Sequence, residues 1–241
     1  MNGDCGSEAK FFDLEDLKEL KETWIWEEDN LKLEAEDIEK QGVTDLLDGT
    51  DGILIPGGFG DRGSEGKIRA VRYARENKIP FLGICLGMQI AVTEFARNVC
   101  EMKDANSVEF DPKTEFPVIH LMDEQKEIDQ MGGTMRLGAY PCVLKTNSIV
   151  AKLYRKKKIS ERHRHRYEFN NEYRQAFADS EMVLSGRNPE RDLVEIVELA
   201  NHPFFIGVQF HPEFKSNPFE AHPLFRSFIG AALRRKRDLD G

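Results

Sequence analysis

Pro80-Phe81-Leu82-Gly83-Ile84-Cys85-Leu86-Gly87 is the stretch whose reading decides the fold. Phe81 to Ile84 form a short apolar run that ends on a cysteine set between two glycines, and a helical pattern follows from about Leu86 to Val99. Such a run suits a strand covered on both faces, as in a parallel sheet. The glycines have a physical reason to be there. A tight strand-to-helix turn brings neighbouring backbone very close, and a Cβ would clash. The helix N-terminus leaves unpaired N–H groups and a positive dipole end next to the sulfur, which favours a thiolate and an adjacent oxyanion. Taken alone, the pentapeptide also fits an inert cysteine in a packed glycine turn.

The same pattern occurs upstream. Gly52-Ile53-Leu54-Ile55 is a second buried-strand run, stopping at Pro56-Gly57-Gly58-Phe59-Gly60, and a helix capped by Ser64 is expected through Asn77. Strand, helix, strand, helix with short loops predicts an α/β fold: a central, mostly parallel sheet with helices on both faces. The second half differs. Val118–Leu121, Cys142–Lys145, Met182–Leu184, Leu193–Leu199 and Phe204–Phe210 are strand candidates close enough in sequence to pair antiparallel, and 222–237 closes the chain as a helix. Towards the N-terminus, residues 1–22 are acidic and helix-prone, Trp24-Ile25-Trp26 reads as a short strand, and 31–47 as an amphipathic helix. Without repeats or low-complexity linkers, residues 1–241 are expected to form a single domain.

Composition narrows the function classes. The chain has 241 residues, 40% hydrophobic and 32% charged, with a net charge of −9 from 34 basic and 43 acidic side chains. That balance argues against nucleic-acid or anionic-membrane partners, since phosphate binding depends on Lys and Arg. No apolar run approaches the roughly 20 residues that span a bilayer, and residues 1–10 lack a signal-peptide core, so a cytoplasmic location is expected. Cys5, Cys85, Cys100 and Cys142 are scattered without a CxxC pair, so neither a metal site nor a disulfide framework is expected.

A base is available at His211-Pro212-Glu213, directly after the run Phe204–Phe210. In extended geometry residues i and i+2 point the same way, which would set an imidazole beside its orienting carboxylate. His-Pro-Glu alone is a weak signal; an elbow cysteine in the same parallel-sheet protein gives it weight. The loop Pro56–Gly60 adds backbone N–H groups. Loops at the carboxyl ends of neighbouring strands line one crevice, so Gly58 and Leu86 could donate jointly to a developing oxyanion.

GICLGMQ, PGGFG and GVQFHPEF, in this order and spacing, resemble the class I glutamine amidotransferases. DANS at 104–107, MGGTMRLG at 131–138, ERHRHRYE at 161–168 and NHPFF at 201–205 are similar to the glutaminase domain of the CTP synthases. The resemblance covers roughly residues 50–228 and implies a three-layer fold with antiparallel additions in the C-terminal half. It also implies glutamine hydrolysis by a triad of Cys85, His211 and Glu213, with Gly58 and Leu86 as backbone oxyanion donors. Gly58, Phe59, Gln89, Glu109 and Arg166 would hold the glutamine. No cofactor is expected in this chain. ATP, UTP and Mg²⁺ belong to a synthetase domain that would receive the ammonia, in cis or in trans. GTP is an expected allosteric activator, with Arg136 in a segment assigned to that response. The alternative is a regulatory or binding module that keeps the fold without turnover.

Two departures bear on these expectations. Nothing here resembles the synthetase domain. Residues 1–22 also do not match the Gly-Lys-Tyr strand and long helix with which the family's domain opens. Loss of that strand would leave a gap in the sheet next to the crevice. Within the basic run Arg155–Arg166, the Lys stretch RKKK at 155–158 is read as a solvated loop, and RHRHRYE as substrate and interface residues.

Overall fold

The computed structural model describes residues 8–11, 32–121, 135–217 and 219–240. Its centre is three parallel strands, β3 (Ile53–Ile55), β4 (Phe81–Ile84) and β12 (Phe205–Val208). Strand β4 lies in the middle, with Leu82 in register with both Leu54 and Ile206. Every residue of the three strands is buried, and their alternation divides them between two cores. Ile53, Ile55, Phe81 and Phe205 face one core; Leu54, Leu82, Ile84, Ile206 and Val208 face the other. A sheet covered on both faces has no use for a polar alternation, so the sequence shows unbroken apolar runs.

Helices α3 (Ser64–Glu76) and α4 (Leu86–Asn98) cover the first face. Helix α4 is buried from Leu86 to Ala96 because a second sheet packs on its far side. That sheet has the order β5 (Ala105–Ser107), β6 (Phe116–Leu121), β9 (Tyr167–Phe169). A helix enclosed in this way is largely apolar, and its buried polar side chains find partners. Its one buried carboxylate, Glu94, is answered by Arg75 of α3, whose guanidinium donates to both oxygens at 2.7 and 3.0 Å. The second face is covered by α5 (Ile149–Tyr154) and the terminal helix α7 (Pro223–Asp240), while α6 (Arg174–Ala178) packs Phe177 into the first core.

Outside the parallel centre the large sheet is antiparallel. Beyond β12 come β11 (Val194–Leu199), β10 (Met182–Arg187), β7 (Arg136–Leu144) and β8 (Lys158–His165). The three-layer α/β arrangement expected from the sequence is present, with three described strands of the large sheet pairing parallel and β5 and β6 of the smaller sheet pairing parallel as well.

Several local expectations are corrected. The feared gap beside β3 is closed: β1 (Glu8–Phe11) pairs antiparallel with β3 and carries β2 (Lys32–Glu34) at its outer edge. Part of the helix-prone segment is therefore strand, because an unpaired edge of β3 offers its backbone a ladder of hydrogen bonds. The helix expected over 31–47 is split by Gly42 into α1 (Ala35–Gln41) and α2 (Val43–Leu47). Gly63, in the left-handed conformation, occupies the cap position of α3, and Ser64 is its first helical residue. The Lys stretch is exposed, with Arg155 to Lys157 outside any strand and Lys158 opening β8. The expected strand at Trp24–Trp26 lies outside the described residues. Among the described residues, no helix is long and apolar enough to cross a membrane.

Candidate active site

Cys85 sits where β4 meets α4, with φ 51° and ψ −101°, a left-handed conformation that side chains rarely adopt. Its N–H donates to the Val208 carbonyl at 2.7 Å, which ties the turn to the neighbouring strand. The flanking glycines are required by contact. A Cβ on Gly83 would lie 2.6 Å from the Gly87 carbonyl, and one on Gly87 would lie 2.2 Å from the Ile55 carbonyl oxygen. The elbow thus rests directly on the end of β3, and no other residue fits these two positions.

His211 reaches the same place from the end of β12. The Cβ that Gly57 lacks would fall 2.8 Å from His211 Cε1 and 3.5 Å from Cys85 Cβ. The imidazole and the cysteine therefore converge across the Gly57 backbone. His211 Nδ1 is 2.6 Å from Glu213 Oε1, while His211 Nε2 is buried with no hydrogen-bond partner among the described residues. A carboxylate in its ionised form only accepts, so Nδ1 carries a proton, and in the neutral ring Nε2 is the nitrogen left to act as base. The pairing is not made in extended geometry, as the sequence had suggested. Strand β12 stops at Val208, and Pro212–Phe214 form a single 3₁₀ turn that swings the carboxylate back under the ring. The same turn stacks Phe214 on the imidazole, ring centroids 4.8 Å apart at 14°.

The thiol is held in its neutral form. Burial pushes Cys85 up to about 12; the Leu86 N–H pulls against this, and the carboxylates of Glu213, Glu168 and Glu109 push further up. Leu86, first residue of α4, keeps an N–H that no earlier turn can satisfy, and it points to the sulfur. Gly58 is adjacent: a Cβ there would lie 3.2 Å from Leu86 Cδ2. The two residues expected to supply the oxyanion donors are thus in contact.

The expected substrate-holding residues are distributed around this point. Glu109 Oε1 accepts from the Gly60 N–H at 2.9 Å, tying the glycine loop to the segment after β5. Burial raises Glu109 above the usual carboxylate range, against the Gly60 N–H and the Arg166 guanidinium, which stabilise its charge. Glu109 and Arg166, separated by more than fifty residues, are therefore electrostatic neighbours beside the glycine loop. Phe59 is exposed on that loop. Gln89, one turn into α4, donates to the Tyr167 carbonyl at 3.0 Å and to Gln209 Oε1 at 3.2 Å.

Arg136 does not stand at the surface where a nucleotide could reach it. It is 2% exposed, donates to Glu168 at 3.1 Å and to Glu195 at 2.8 Å, and lies over the Tyr140 ring. Beside it, His163 and His165 share a 2.8 Å contact, both held neutral by burial. These histidines come from the run read as substrate and interface residues. They form the floor behind the site instead. Residues 131–134 of MGGTMRLG lie outside the described residues.

Comparison with known proteins gives the chain's family. The family model described as Glutamine amidotransferase class-I matches residues 24–231, and the chain belongs to that family. Within it, the similarity is to CTP synthases. The CTP synthase of Geotalea uraniireducens is 62% identical over 201 residues, covering 83% of this chain and 38% of that protein. That of Caldanaerobacter subterraneus subsp. tengcongensis is 54% identical over 236 residues, 95% of this chain and 44% of its own length. The second match enters the segment 1–22. Among solved structures, the glutaminase domain of Trypanosoma brucei CTPS with bound acivicin is 40% identical, with a TM-score of 0.78 over 84% of this chain and 79% of that one. The chain spans less than half the length of these two bacterial relatives and corresponds to their glutaminase part.

Proposed function

We propose that this chain hydrolyses glutamine to glutamate and ammonia through Cys85, His211 and Glu213. The observation that carries the reading is the buried Nε2 of His211, unpartnered among the described residues, with the ring oriented by Glu213 and converging on Cys85 across Gly57. Because burial keeps the thiol protonated, proton transfer accompanies attack. Cys85 Sγ bonds to the side-chain amide carbon of glutamine as its proton passes to His211 Nε2. The carbonyl oxygen, now negative, receives the N–H groups of Leu86 and Gly58. As the C–N bond breaks, His211 returns the proton to the departing nitrogen and ammonia leaves a γ-glutamyl thioester. Water then attacks with His211 as base, releasing glutamate and restoring the thiol. Glu213 keeps Nδ1 protonated throughout and stabilises the transient imidazolium.

Glu109 and Arg166 suit the zwitterionic end of glutamine. A free amino acid needs an anion for its ammonium and a cation for its carboxylate at fixed separation. Gln89 and the exposed Phe59 complete this end of the pocket. The likeness to proteins named CTP synthase supports CTP as the eventual product. Ammonia would pass to a synthetase domain, in cis or in trans, that aminates UTP with ATP and Mg²⁺ in the cytoplasm, with GTP as activator. Incubation with glutamine should yield equal amounts of glutamate and ammonia, and Cys85→Ser should abolish both. Undiminished turnover in that variant would refute the assignment.

A further inference from the structure

Gln209 has no part in the triad, yet its side chain is fully buried against the sulfur. Its Nε2 lies 3.7 Å from Cys85 Sγ, and its Oε1 accepts from Gln89 Nε2 at 3.2 Å. Its own N–H donates to the Glu195 carbonyl at 2.9 Å, which fixes the backbone.

The direction of the amide follows from its neighbours. The Tyr167 carbonyl only accepts, so the group of Gln89 facing it at 3.0 Å must be the NH₂. That same NH₂ has its second N–H on Gln209, whose facing atom must then be the oxygen. The remaining end of Gln209, its NH₂, is left facing Cys85. A chain of three fixed partners, Tyr167, Gln89 and Gln209, thus aims a donor at the nucleophile. Three elements contribute: β9, α4 and the end of β12.

We infer that Gln209 is a further catalytic residue, an N–H donor that stabilises negative charge on Cys85 Sγ as the thiol gives up its proton, with Gln89 as the positioning residue that sets its orientation. The inference rests on the reading of Cys85 as nucleophile. It gives the buried sulfur a second fixed dipole, where bulk water would otherwise have to enter. It also links the sulfur to the substrate end of the pocket, because Gln89 stands between them with its oxygen uncommitted to Tyr167 or Gln209. The donor acts on the sulfur rather than on bound glutamine, so it should affect kcat and thiol ionisation more than KM.

The test compares wild type with Gln209→Met and Gln209→Glu in steady-state glutamine hydrolysis and in the pH profile of Cys85 alkylation by iodoacetamide. A hydrogen bond to a charged partner is worth about 10–100-fold, so Gln209→Met should lower kcat by about that factor with KM nearly unchanged. Its alkylation profile should move to higher pH by about one unit or more. Gln209→Glu conserves volume and the bond from Gln89 but sets a carboxylate against the sulfur, and should move the profile further. It decides the question if Gln209→Met does not fold. Alkylation profiles in these variants that superimpose on wild type would overturn the donor role, whatever happens to kcat. Undiminished hydrolysis by Cys85→Ser would instead overturn the nucleophile itself, so the two failures are distinct.

Discussion

At the residue scale, the site depends on a few positions where one atom more or less is decisive. Gly87 packs on the Ile55 carbonyl, so Gly87→Ala should destabilise the protein by about 3 kcal/mol or more, because backbone rather than a side chain must yield. Urea denaturation measures this; a loss below 1 kcal/mol, on the order of an ordinary surface change, would show that the elbow can open. The base and its orienter separate by degree. His211→Ala should reduce kcat by about 10²–10⁴-fold, and Glu213→Gln by less, since the amide can still hold the ring but no longer favours the imidazolium. Equal losses in single-turnover assays would assign the carboxylate a role beyond orientation. Cys85, His211 and Glu213 were readable from the sequence because each lies in a short motif whose glycines or spacing carry a local requirement. Gln209 was not. It stands two residues from His211, but its meaning comes from Gln89 and Tyr167 on other elements.

At the element scale, a neutral histidine joins α3 to β12. His202 Nε2 faces the Ala74 carbonyl at 3.2 Å and Nδ1 accepts from the Phe204 N–H at 3.2 Å, so a second proton would break one of the two. Burial lowers its pKa from the ordinary 6.5 to about 4. With the folded value depressed, the unfolded chain binds more protons between these limits. The stability from His202 is full above pH 6.5 and is lost as pH falls towards 4. The advantage of wild type over His202→Gln in urea should therefore shrink by about 2–3 kcal/mol between pH 7.5 and pH 4.5. An advantage constant over that range would show the ring is not held neutral. Strand β8 shows why some elements escaped the sequence. Its burial alternates strictly, with Glu161, His163 and His165 inside and Arg162 and Arg164 outside, but a period of two written in histidine and arginine does not look like a hydrophobic pattern. The buried runs of β3, β4 and β12 were legible because they are apolar on both faces. Ser64 was misplaced by one position because Gly63 supplies the turn by conformation, without a side-chain oxygen.

At the scale of the whole molecule, Arg136 links the edge sheet to the floor of the site through Glu168 and Glu195. Burial pushes both carboxylates above the usual range against the guanidinium. Removing the cation strands two buried acids, so Arg136→Met should cost about 3–5 kcal/mol in denaturant unfolding. A variant as stable as wild type would mean that the cluster is held by packing alone. The three-layer plan and the family were legible from motif order, while the antiparallel pairing of β1 with β3 was not. That pairing joins segments about forty residues apart and leaves no periodic trace in either. The small sheet on the outside of α4 was hidden for the same reason, since β9 comes to it from far along the chain. The comparisons assign this chain to the glutaminase part of longer relatives, and the central claim is that the part has a formed glutamine site with Cys85 as its nucleophile. Peptide mapping by mass spectrometry after exposure to a glutamine-mimicking chloromethyl ketone tests this most directly. A single adduct on Cys85, slowed by added glutamine and absent from Cys85→Ser, is the predicted result. Labelling at Cys100, or no labelling of the folded protein, would contradict it.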